Sequence, residues 1–310
     1  GIYPILGTGG QIGKTNSFLY DKPSVLIGRK GTINKPQYME TPFWTVDTLF
    51  YSHIYEPNIP KYLFYSFQNV NWKKYDESTG VPSLSSSTIE SVECNIPSKE
   101  EQLKVADFLS LLDKKIELQS KKIEDLKLFK KGLSTTIFNS LRDFEEYKLG
   151  KICNITTGKL DANATIDNGK YRFYTCAKEY SLIDKYAFDT EALLISGNGA
   201  YVGYIHYYKG KFNAYQRTYV LDNFSQNIQF IKCYLEENLA KRINSEKKEG
   251  NTPYIVLSTL SDMVIKIPSK ENQIKISNII NCHNKKIELE ENKLLKLQEL
   301  KKGLMQSMFV

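Results

Sequence analysis

One helical segment occurs twice in this chain, because residues 96–138 recur as residues 267–309. The first copy begins IPSKEEQLKVADFL and the second IPSKENQIKISNII, and nearly half of the positions are identical along the two copies. Other positions exchange one aliphatic residue for another, such as Val105 for Ile276. A duplication of this length predicts two equivalent structural units, since each copy of a repeat forms the same local structure.

Each copy carries a helix start signal followed by a heptad pattern. Ser98 and Glu101 have the spacing of a capping box, whereas Ser269 is followed by Asn272 and predicts a weaker one. Apolar residues then recur at alternating steps of three and four, the pattern of a coiled-coil seam. The predicted seam residues are Leu109, Leu112, Ile116, Ile123, Leu126 and Leu133 in the first helix, and Ile287, Leu294, Leu297 and Leu304 in the second.

Polar residues inside the seam predict how the two helices pair. Gln119 and Lys130 interrupt the first copy, and Glu290 and Lys301 stand at the equivalent positions of the second. One antiparallel register sets Lys130 against Glu290 and Gln119 against Lys301, with apolar residues opposed elsewhere. A shift by one heptad would place charged groups against aliphatic ones, where desolvation is unfavourable. We therefore expect an intramolecular antiparallel coiled coil, the alternative being two independent amphipathic helices.

Two glycines, Gly132 and Gly303, fall inside the helical pattern at equivalent positions. Glycine costs a helix about 1 kcal/mol relative to alanine. Their presence predicts either the close approach of another backbone or a tolerated kink.

The remaining segments predict two α+β globular domains, separated by the two long helices. SVLIGRKG in the first aligns with ALLISGNG in the second, and short β-branched runs with turns indicate strands. The predicted domain limits are 1–93 and 143–264, and the helical segments are 94–142 and 265–310. The second domain opens with residues that have no counterpart before Gly1, so we expect the first domain to lack its N-terminal segment.

Composition excludes several classes of protein. Apolar residues make up 41% and aromatic residues 12%, which is enough to build globular cores. No apolar run reaches the roughly 20 residues that span a membrane. Five scattered cysteines without a CxxC pair are typical of a reducing cytoplasm. The net charge of +7 favours a polyanionic partner, although many soluble proteins carry such a charge.

No motif predicts catalysis or a metal site on this chain. Gly7 and Gly13 enclose five residues, whereas a P-loop has four between its first glycine and the Gly-Lys pair. The sequence Asn-Thr-Pro-Tyr at 251–254 differs at Thr252 from the Asn-Pro-Pro-Tyr motif of adenine methyltransferases. Three scattered histidines have no metal-ligand or catalytic-triad spacing.

Basic and amide side chains in the loops are candidates for DNA binding. Arg29 could present a planar pair of donors to guanine, and Asn198 or Gln216 could pair with adenine. Lysines would contact phosphates, although a single lysine is more often a solvated surface charge. The candidate residues are Lys14, Arg29, Lys30, Lys35, Asn198, Tyr201, Lys209, Lys211, Gln216 and Arg217.

Over its whole length the sequence resembles the specificity subunit of type I restriction-modification systems. The Pro-Ser-x-Glu-x-Gln openings at 97–102 and 268–273 carry this resemblance. So do the Lys-Lys-Ile-Glu-Leu and Lys-Lys-Gly-Leu stretches inside both helices. The resemblance implies that each α+β domain is a target recognition domain that reads one half of a split site in double-stranded DNA, while the coiled coil sets the spacing.

The same resemblance implies partners that carry the chemistry. Two modification subunits, which are adenine methyltransferases using S-adenosylmethionine, would dock on the helices. Restriction subunits with translocase and nuclease activity, which need ATP and magnesium, would join them. The seam from 109 to 137 would span about 40 Å at 1.5 Å per residue, comparable with one DNA turn of roughly 34–36 Å.

Two other functions stay open at the level of sequence. The chain could be a non-enzymatic coiled-coil scaffold with two ligand- or protein-binding domains, or an enzyme in its own right. Binding to DNA phosphates weakens steeply with salt. A flat salt response would therefore favour the scaffold, and methyl transfer by the purified chain would establish the enzyme.

Overall fold

The computed structural model describes residues 1–246 and 254–309 and divides into two compact units. The first unit contains Gly1–Ile123 and Glu290–Val310, and the second contains Glu124–Leu289. Each long helix therefore contributes one part to each unit. The residues at 251–253 of the Asn-Thr-Pro-Tyr sequence lie outside the described part of the chain.

The first unit combines two small sheets with two short helices. The sheets have the strand orders β2-β1-β5 and β4-β3-β6. The glycine-rich segment at 7–15 lies in the antiparallel hairpin of β1 and β2, and not in the strand-loop-helix of a P-loop. The elements are β1 (Tyr3–Gly7), β2 (Gly10–Thr15), β3 (Ser24–Gly28), β4 (Gln37–Met39), β5 (Trp44–Thr45), β6 (Leu49–Tyr51), α1 (Pro60–Asn69), a 3₁₀ turn (Trp72–Tyr75), α2 (Ser86–Glu90) and the long helix α3 (Lys99–Asn139).

The second unit is built on a six-stranded sheet with the order β10-β9-β12-β11-β13-β8, beside a two-stranded sheet of β14 and β7. Its core includes the completely buried Leu193, Leu221 and Phe230. The elements are β7 (Glu145–Lys148), a 3₁₀ turn (Leu149–Lys151), β8 (Asn154–Thr157), a 3₁₀ turn (Ala162–Ala164), β9 (Tyr171–Tyr174), β10 (Ser181–Ile183), β11 (Phe188–Ser196), β12 (Ile205–Ala214), β13 (Thr218–Asp222), α4 (Ile228–Glu246), α5 (Leu257–Ser261), β14 (Val264–Ile267) and the long helix α6 (Lys270–Met308).

This architecture confirms the α+β class with two globular domains and two long helices. The aligned SVLIG and ALLIS segments lie in the equivalent strands β3 and β11, both almost entirely buried. The exact domain limits stay a prediction. No described helix is long and apolar enough to cross a membrane.

Both long helices begin with the same capping contact. The Ser98 hydroxyl accepts a hydrogen bond from the Glu101 amide at 3.3 Å, and Ser269 accepts one from the Asn272 amide at the same distance. Both contacts are the serine half of a capping box, and they form equally well because the donor is the backbone amide of Glu101 or Asn272 and not its side chain.

Within the first unit, α3 and α6 run antiparallel. Gln119 Nε2 donates to Glu290 Oε2 at 2.7 Å, and Lys301 Nζ lies 2.5 Å from Asp113 Oδ1. Since the later residue of α3 meets the earlier residue of α6, the antiparallel coiled coil is confirmed. The predicted register, which placed Gln119 against Lys301, is wrong by about one heptad.

The register differs because Glu290 and Lys301, two polar residues of the seam, pair with charged residues that lie outside the seam. Glu290 is surrounded by Gln119 and two lysines, Lys122 at 3.0 Å and Lys293 at 3.1 Å. Lys301 bonds Asp113 and lies 5.3 Å from the ring centroid of Tyr65 in α1. Paired charges are tolerated in the seam, so polar layers need not face each other as predicted.

In the second unit, Lys130 is close enough to Cys233 of α4 to lower the pKa of that thiol, although burial raises it overall. Tyr65 of α1 and Cys233 of α4 are equivalent residues. The charge of each seam lysine therefore acts on a residue in the helix of its own globular domain. Lys130 does not serve as the predicted partner of Glu290.

All ten predicted seam residues are buried or half-buried. Leu109 is completely buried and belongs to one cluster with Tyr65 and Met305. Near Gly132 and Gly303, an added Cβ would meet no described atom within 4 Å. Close backbone approach within this chain is therefore not the reason for either glycine.

We predict that the carboxylate of Glu290 stabilises the fold in a pH-dependent way. Hydrogen bonds from Gln119, then from Lys122 and Lys293, lower its pKa from 4.5 to about 2. A depressed pKa contributes stability that is complete above pH 4.5 and is lost as the pH falls towards 2. Glu290→Gln should lower the melting temperature at pH 7, and the difference from the wild type should shrink below pH 4.5.

Thermal denaturation between pH 7 and pH 3 measures this difference. Glu288→Gln changes an exposed carboxylate on the same helix and is the matched control. A difference between Glu290→Gln and the wild type that is independent of pH would contradict the assigned role.

Candidate nucleic-acid interface

In the first unit, Arg29 and Lys30 follow directly after β3 and are both exposed. The Arg29 amide donates to the carbonyl of Thr48 at 2.8 Å, and its Nη1 donates to the carbonyl of Asp47 at 3.4 Å. Lys30 forms an isolated β-bridge with Ser83. The backbone of this loop is therefore held on both sides while its two basic side chains reach the surface.

The other two predicted residues of the first unit lie elsewhere. Lys14 is exposed on β2, opposite Pro4 of β1. Lys35 precedes β4 and lines a cleft with Lys301 and Lys302 of α6. The structure thus joins Arg29 with Lys30 and places Lys35 beside the long helix.

In the second unit, the loop after β11 meets the turn before β13. The amide of Gly197 donates to the carbonyl of Arg217 at 2.9 Å, and Cys176 Sγ lies 3.3 Å from the same oxygen. Asn198 forms an isolated bridge with Tyr254. Arg217 is exposed and Asn198 half-buried, so their side chains border one surface.

Tyr201 and Gln216 belong to the same two loops. The Nζ of Lys178 lies 5.3 Å from the ring centroid of Tyr201 and brings a further cation to this surface. Gln216 Nε2 donates to Asp161 Oδ1 at 2.7 Å, so one donor of its amide is already engaged. The structure groups Tyr201 with the Asn198 loop and ties Gln216 to a neighbouring segment.

Lys209 and Lys211 do not join this group. They lie on β12, and their partners across the ladder are Glu191 and Asp189 near the start of β11. Lys209 Nζ is 3.7 Å from a Glu191 carboxylate oxygen, and Lys211 Nζ is 4.8 Å from the ring centroid of Tyr186. Their charges are therefore partly compensated within the domain.

The two units carry an arginine at the same backbone hydrogen bond. Gly28 pairs with Leu49, and Ser196 pairs with Thr218, at equivalent ends of equivalent strands. The next bond joins Arg29 to Thr48 in the first unit, and Gly197 to Arg217 in the second. The arginine lies on the donor side in one unit and on the acceptor side in the other.

Exposed tyrosines around this bond were not predicted apart from Tyr201. Tyr254 is 60% exposed and Tyr204 is 39% exposed, beside Asn198 and the Tyr201 loop respectively. Arg172 lies 4.3 Å from the ring centroid of Tyr180. Aromatic faces of this kind stack on unpaired bases. The count of 21 tyrosines was a signal, but no spacing showed which of them converge.

A half-buried histidine holds one of these loops in place. His206 Nε2 lies 2.9 Å from the carbonyl of Ala177, so this nitrogen carries the proton. Burial lowers the pKa of His206, which keeps the ring neutral at neutral pH. The ring packs against Tyr174 and Tyr204 at centroid distances of 5.0 and 4.8 Å. His206 therefore fixes the loop that presents Lys178.

Within the described residues, no three His, Cys, Asp or Glu side chains form a group that could hold a metal ion. Burial raises the pKa of Cys153 to about 12 and that of Cys233 to about 11. Both thiols are therefore protonated at neutral pH and are poor nucleophiles.

The long helices also expose apolar residues at equivalent positions. In the first unit, α3 exposes Leu103, Phe108 and Leu118, the last to 58%. In the second unit, α6 exposes the equivalent Ile274, Ile279 and Leu289, the last to 61%. Isolated exposed apolar residues are common, but these three positions are exposed and apolar on both helices. We refer to each set of three residues as an apolar row.

A family model described as "Type I restriction modification DNA specificity domain" matches residues 1–128 and 142–299. The specificity subunit of the type I restriction enzyme EcoDI from Escherichia coli is 35% identical over 165 residues. That match covers 53% of this chain but only 36% of the E. coli protein. The specificity subunit of the type I restriction enzyme MjaIX from Methanocaldococcus jannaschii is 25% identical over 292 residues, covering 80% of this chain and 67% of the relative.

Solved structures share the fold. The crystal structure of a type I restriction-modification S subunit from M. genitalium superposes with a TM-score of 0.74 at 19% identity, covering 100% of this chain and 89% of that one. A chain from a structure of type I restriction-modification complex assembly gives a TM-score of 0.60 at 12% identity, covering 99% and 91%. At these identities the likeness establishes architecture.

Proposed function

This chain belongs to the type I restriction modification DNA specificity family, and we propose that it is the DNA sequence-recognition subunit of a type I restriction-modification complex. Each α+β unit reads one half of a bipartite site. The observation that carries this proposal is the exposed arginine at one equivalent backbone bond in both units. A planar guanidinium on a fixed loop suits the paired acceptors of guanine in the major groove.

Neighbouring side chains supply the other contacts that a DNA reader needs. Lys30 in the first unit and Lys178 in the second add positive charge for phosphates beside each arginine. Asn198 offers an amide of the type that pairs with adenine. Lys14, Lys35, Lys209 and Lys211 are further exposed cations that could contact phosphates at the margins.

We also propose that methylation and cleavage reside on partner subunits. Two adenine methyltransferase subunits would dock on the repeated apolar rows of α3 and α6, one for each unit. S-adenosylmethionine would bind to them, and ATP and magnesium would act on the restriction subunits that join. Within the described residues, no three His, Cys, Asp or Glu side chains form a metal-binding group, and burial raises the pKa of the Cys153 and Cys233 thiols.

The helix pair would set the length of DNA between the two half-sites. Both α3 and α6 are continuous through the boundary that separates the two units. A continuous helix has a fixed rise of about 1.5 Å per residue and resists bending. The number of residues in the helix pair would therefore set the length of the spacer.

We expect DNA binding to depend steeply on salt. If several phosphates are contacted, the affinity of the chain with its methyltransferase partners should fall by about 10³ between 50 and 200 mM salt. Fluorescence anisotropy with a duplex carrying the methylated site measures this slope. An affinity that does not change with salt would favour a scaffold that binds a protein or an uncharged ligand.

Each arginine should act on one half of the DNA site. Arg29→Ala should relax the sequence requirement in the half read by the first unit, and Arg217→Ala should relax the other half. A lost bidentate contact costs about 1–3 kcal/mol of discrimination. Base-resolution mapping of methylated adenines in cells that carry the variant and its partner subunits measures the change.

Arg142→Ala is the matched control, because Arg142 is exposed and belongs to the segment between α3 and β7, outside both loops. If one substitution relaxed the sequence requirement in both halves, it would contradict the assignment of one half-site to each unit. An unchanged motif in both variants would remove these arginines from the recognition surface.

The repeated apolar rows should each bind one methyltransferase subunit. Leu118→Glu or Leu289→Glu alone should reduce the complex from two bound subunits to one, and the double variant should bind none. A charge placed in an apolar contact loses the gain from burial and adds a desolvation penalty. Native mass spectrometry of the assembled complex counts the subunits.

Lys121→Glu changes an exposed charge on α3 close to Leu118 and should leave two subunits bound. Two bound subunits in the double Leu118→Glu, Leu289→Glu variant would show that the partners dock elsewhere.

A further inference from the structure

The turn before β13 in the second unit is held by another stretch of chain, the one that follows β8. The amide of Gln216 donates to the carbonyl of Leu160 at 2.9 Å, and Leu160 forms an isolated parallel bridge with Tyr215. Gly158 packs so closely on this turn that a Cβ in its place would lie 1.8 Å from the carbonyl oxygen of Ala214. The backbones of the two stretches are therefore held together at neighbouring points.

This backbone pairing brings two exposed side chains into contact. Gln216 Nε2 donates to Asp161 Oδ1 at 2.7 Å, and Asp161 directly follows Leu160 of the backbone bridge. An ionised aspartate accepts hydrogen bonds and donates none. The amide atom of Gln216 that faces Asp161 must therefore be the nitrogen, so this contact fixes which way the amide is turned.

The fixed orientation leaves a defined pair of polar groups at the surface. A glutamine amide has two N–H donors and one carbonyl oxygen. Asp161 occupies one N–H of Gln216, so the other N–H and the oxygen remain available. In the major groove adenine presents the acceptor N7 and the donor N6, whereas guanine presents two acceptors, N7 and O6. One donor with one acceptor matches adenine, whereas an amide that turns freely can also direct its N–H groups at guanine.

The first unit has a different residue at the same place. Asp47 precedes Leu49 of β6 by two residues. Gln216 precedes Thr218 of β13 by the same distance, and Leu49 and Thr218 occupy equivalent positions in their ladders. Asp47 is exposed, but a carboxylate has no N–H to offer to adenine N7. This turn of the first unit therefore cannot read adenine in the same way.

We propose that Asp161 is a positioning residue for base recognition, which holds the amide of Gln216 in the orientation that selects adenine. Gln216 contacts the base, and Asp161 acts through Gln216. The inference rests on the proposed function of the chain and adds the base that one turn of the second unit reads. The guanine contact proposed for Arg217 is separate, because that side chain belongs to the next residue of the turn.

Substitutions at Asp161 separate a role in orientation from a role in packing. In Asp161→Ala the amide can turn either way, so one A·T pair in the half-site of the second unit should become replaceable by G·C. Asp161→Asn has nearly the same size but offers both a donor and an acceptor, so it should relax the same pair. Asp161→Glu keeps a carboxylate that only accepts, and it should retain the preference for adenine.

Two measurements follow this change. Base-resolution mapping of methylated adenines, in cells that carry each variant with its partner subunits, identifies the pair that is relaxed. Fluorescence anisotropy of the assembled complex then compares duplexes with A·T or G·C at that pair. A good bidentate contact discriminates between bases by about 5- to 140-fold, and this ratio should fall towards one in Asp161→Ala and Asp161→Asn.

Asp167→Ala is the matched control, because it removes an exposed carboxylate from the same segment between β8 and β9 and should keep the ratio. Both Asp161 and Gln216 are exposed, so their variants should fold with nearly unchanged melting temperatures. If Asp161→Ala does not fold, the nearly isosteric Asp161→Asn gives the same comparison.

A double-variant comparison tests whether Asp161 acts through Gln216. Gln216→Ala removes the reading group and should relax the same A·T pair. The double variant should then discriminate no worse than Gln216→Ala alone, because the two residues form one contact. Additive losses in the double variant, or relaxation of different pairs by the two single variants, would overturn the proposal. Full discrimination in Asp161→Asn, or relaxation in Asp161→Glu as large as in Asp161→Ala, would overturn it as well.

The same variants distinguish failure of this inference from failure of the proposed function. If Asp161→Ala and Gln216→Ala leave the DNA motif unchanged while Arg217→Ala relaxes it, the chain reads DNA and Asp161 positions no reading residue. If no arginine variant alters the motif and the affinity for DNA does not change with salt, the proposed function itself is wrong.

Discussion

A buried glutamine at the start of each long helix joins that helix to its globular domain. Gln102 accepts a hydrogen bond from the amide of Ile59 at 2.8 Å, and Gln273 accepts one from the amide of Asn227 at 3.0 Å. Each glutamine also donates to the carbonyl of the proline five residues before it. Without this side chain, the amide that precedes α1 or α4 would be buried and unsatisfied, which costs about 1–3 kcal/mol. The orientation of each domain on its helix depends on this contact.

The sequence was sufficient for the architecture because the duplication repeats whole elements. It was insufficient for the register of the coiled coil, which depends on partners outside the heptad seam. Lys301 bonds Asp113 and lies beside Tyr65, and neither residue is a seam position. The heptad pattern describes two helices alone, whereas Lys301 also lies beside Tyr65 of a third helix, α1.

In the candidate interface too, some residues could be predicted from local sequence and others depend on tertiary pairing. Arg29 and Arg217 were predictable because each lies in a loop next to a buried strand. The separation of Lys209 from Arg217 was not, because it depends on which end of β12 faces which end of β11. The convergence of Tyr254 with Asn198 likewise joins segments that are distant in sequence. Contacts of this kind are set by tertiary pairing and leave no local pattern.

The two duplicated units share one backbone hydrogen bond but differ in which residue beside it is arginine. The bond that joins Arg29 to Thr48 has the same geometry as the one that joins Gly197 to Arg217, at 2.8 and 2.9 Å. The backbone bond is therefore the same in both copies, whereas the arginine is the donor residue in the first unit and the acceptor residue in the second. The N–H donors of the guanidinium therefore start from opposite sides of this backbone bond in the two units, while the fold around the bond is the same. If the two arginines contact DNA as proposed, this difference would direct them to different base edges in the two half-sites.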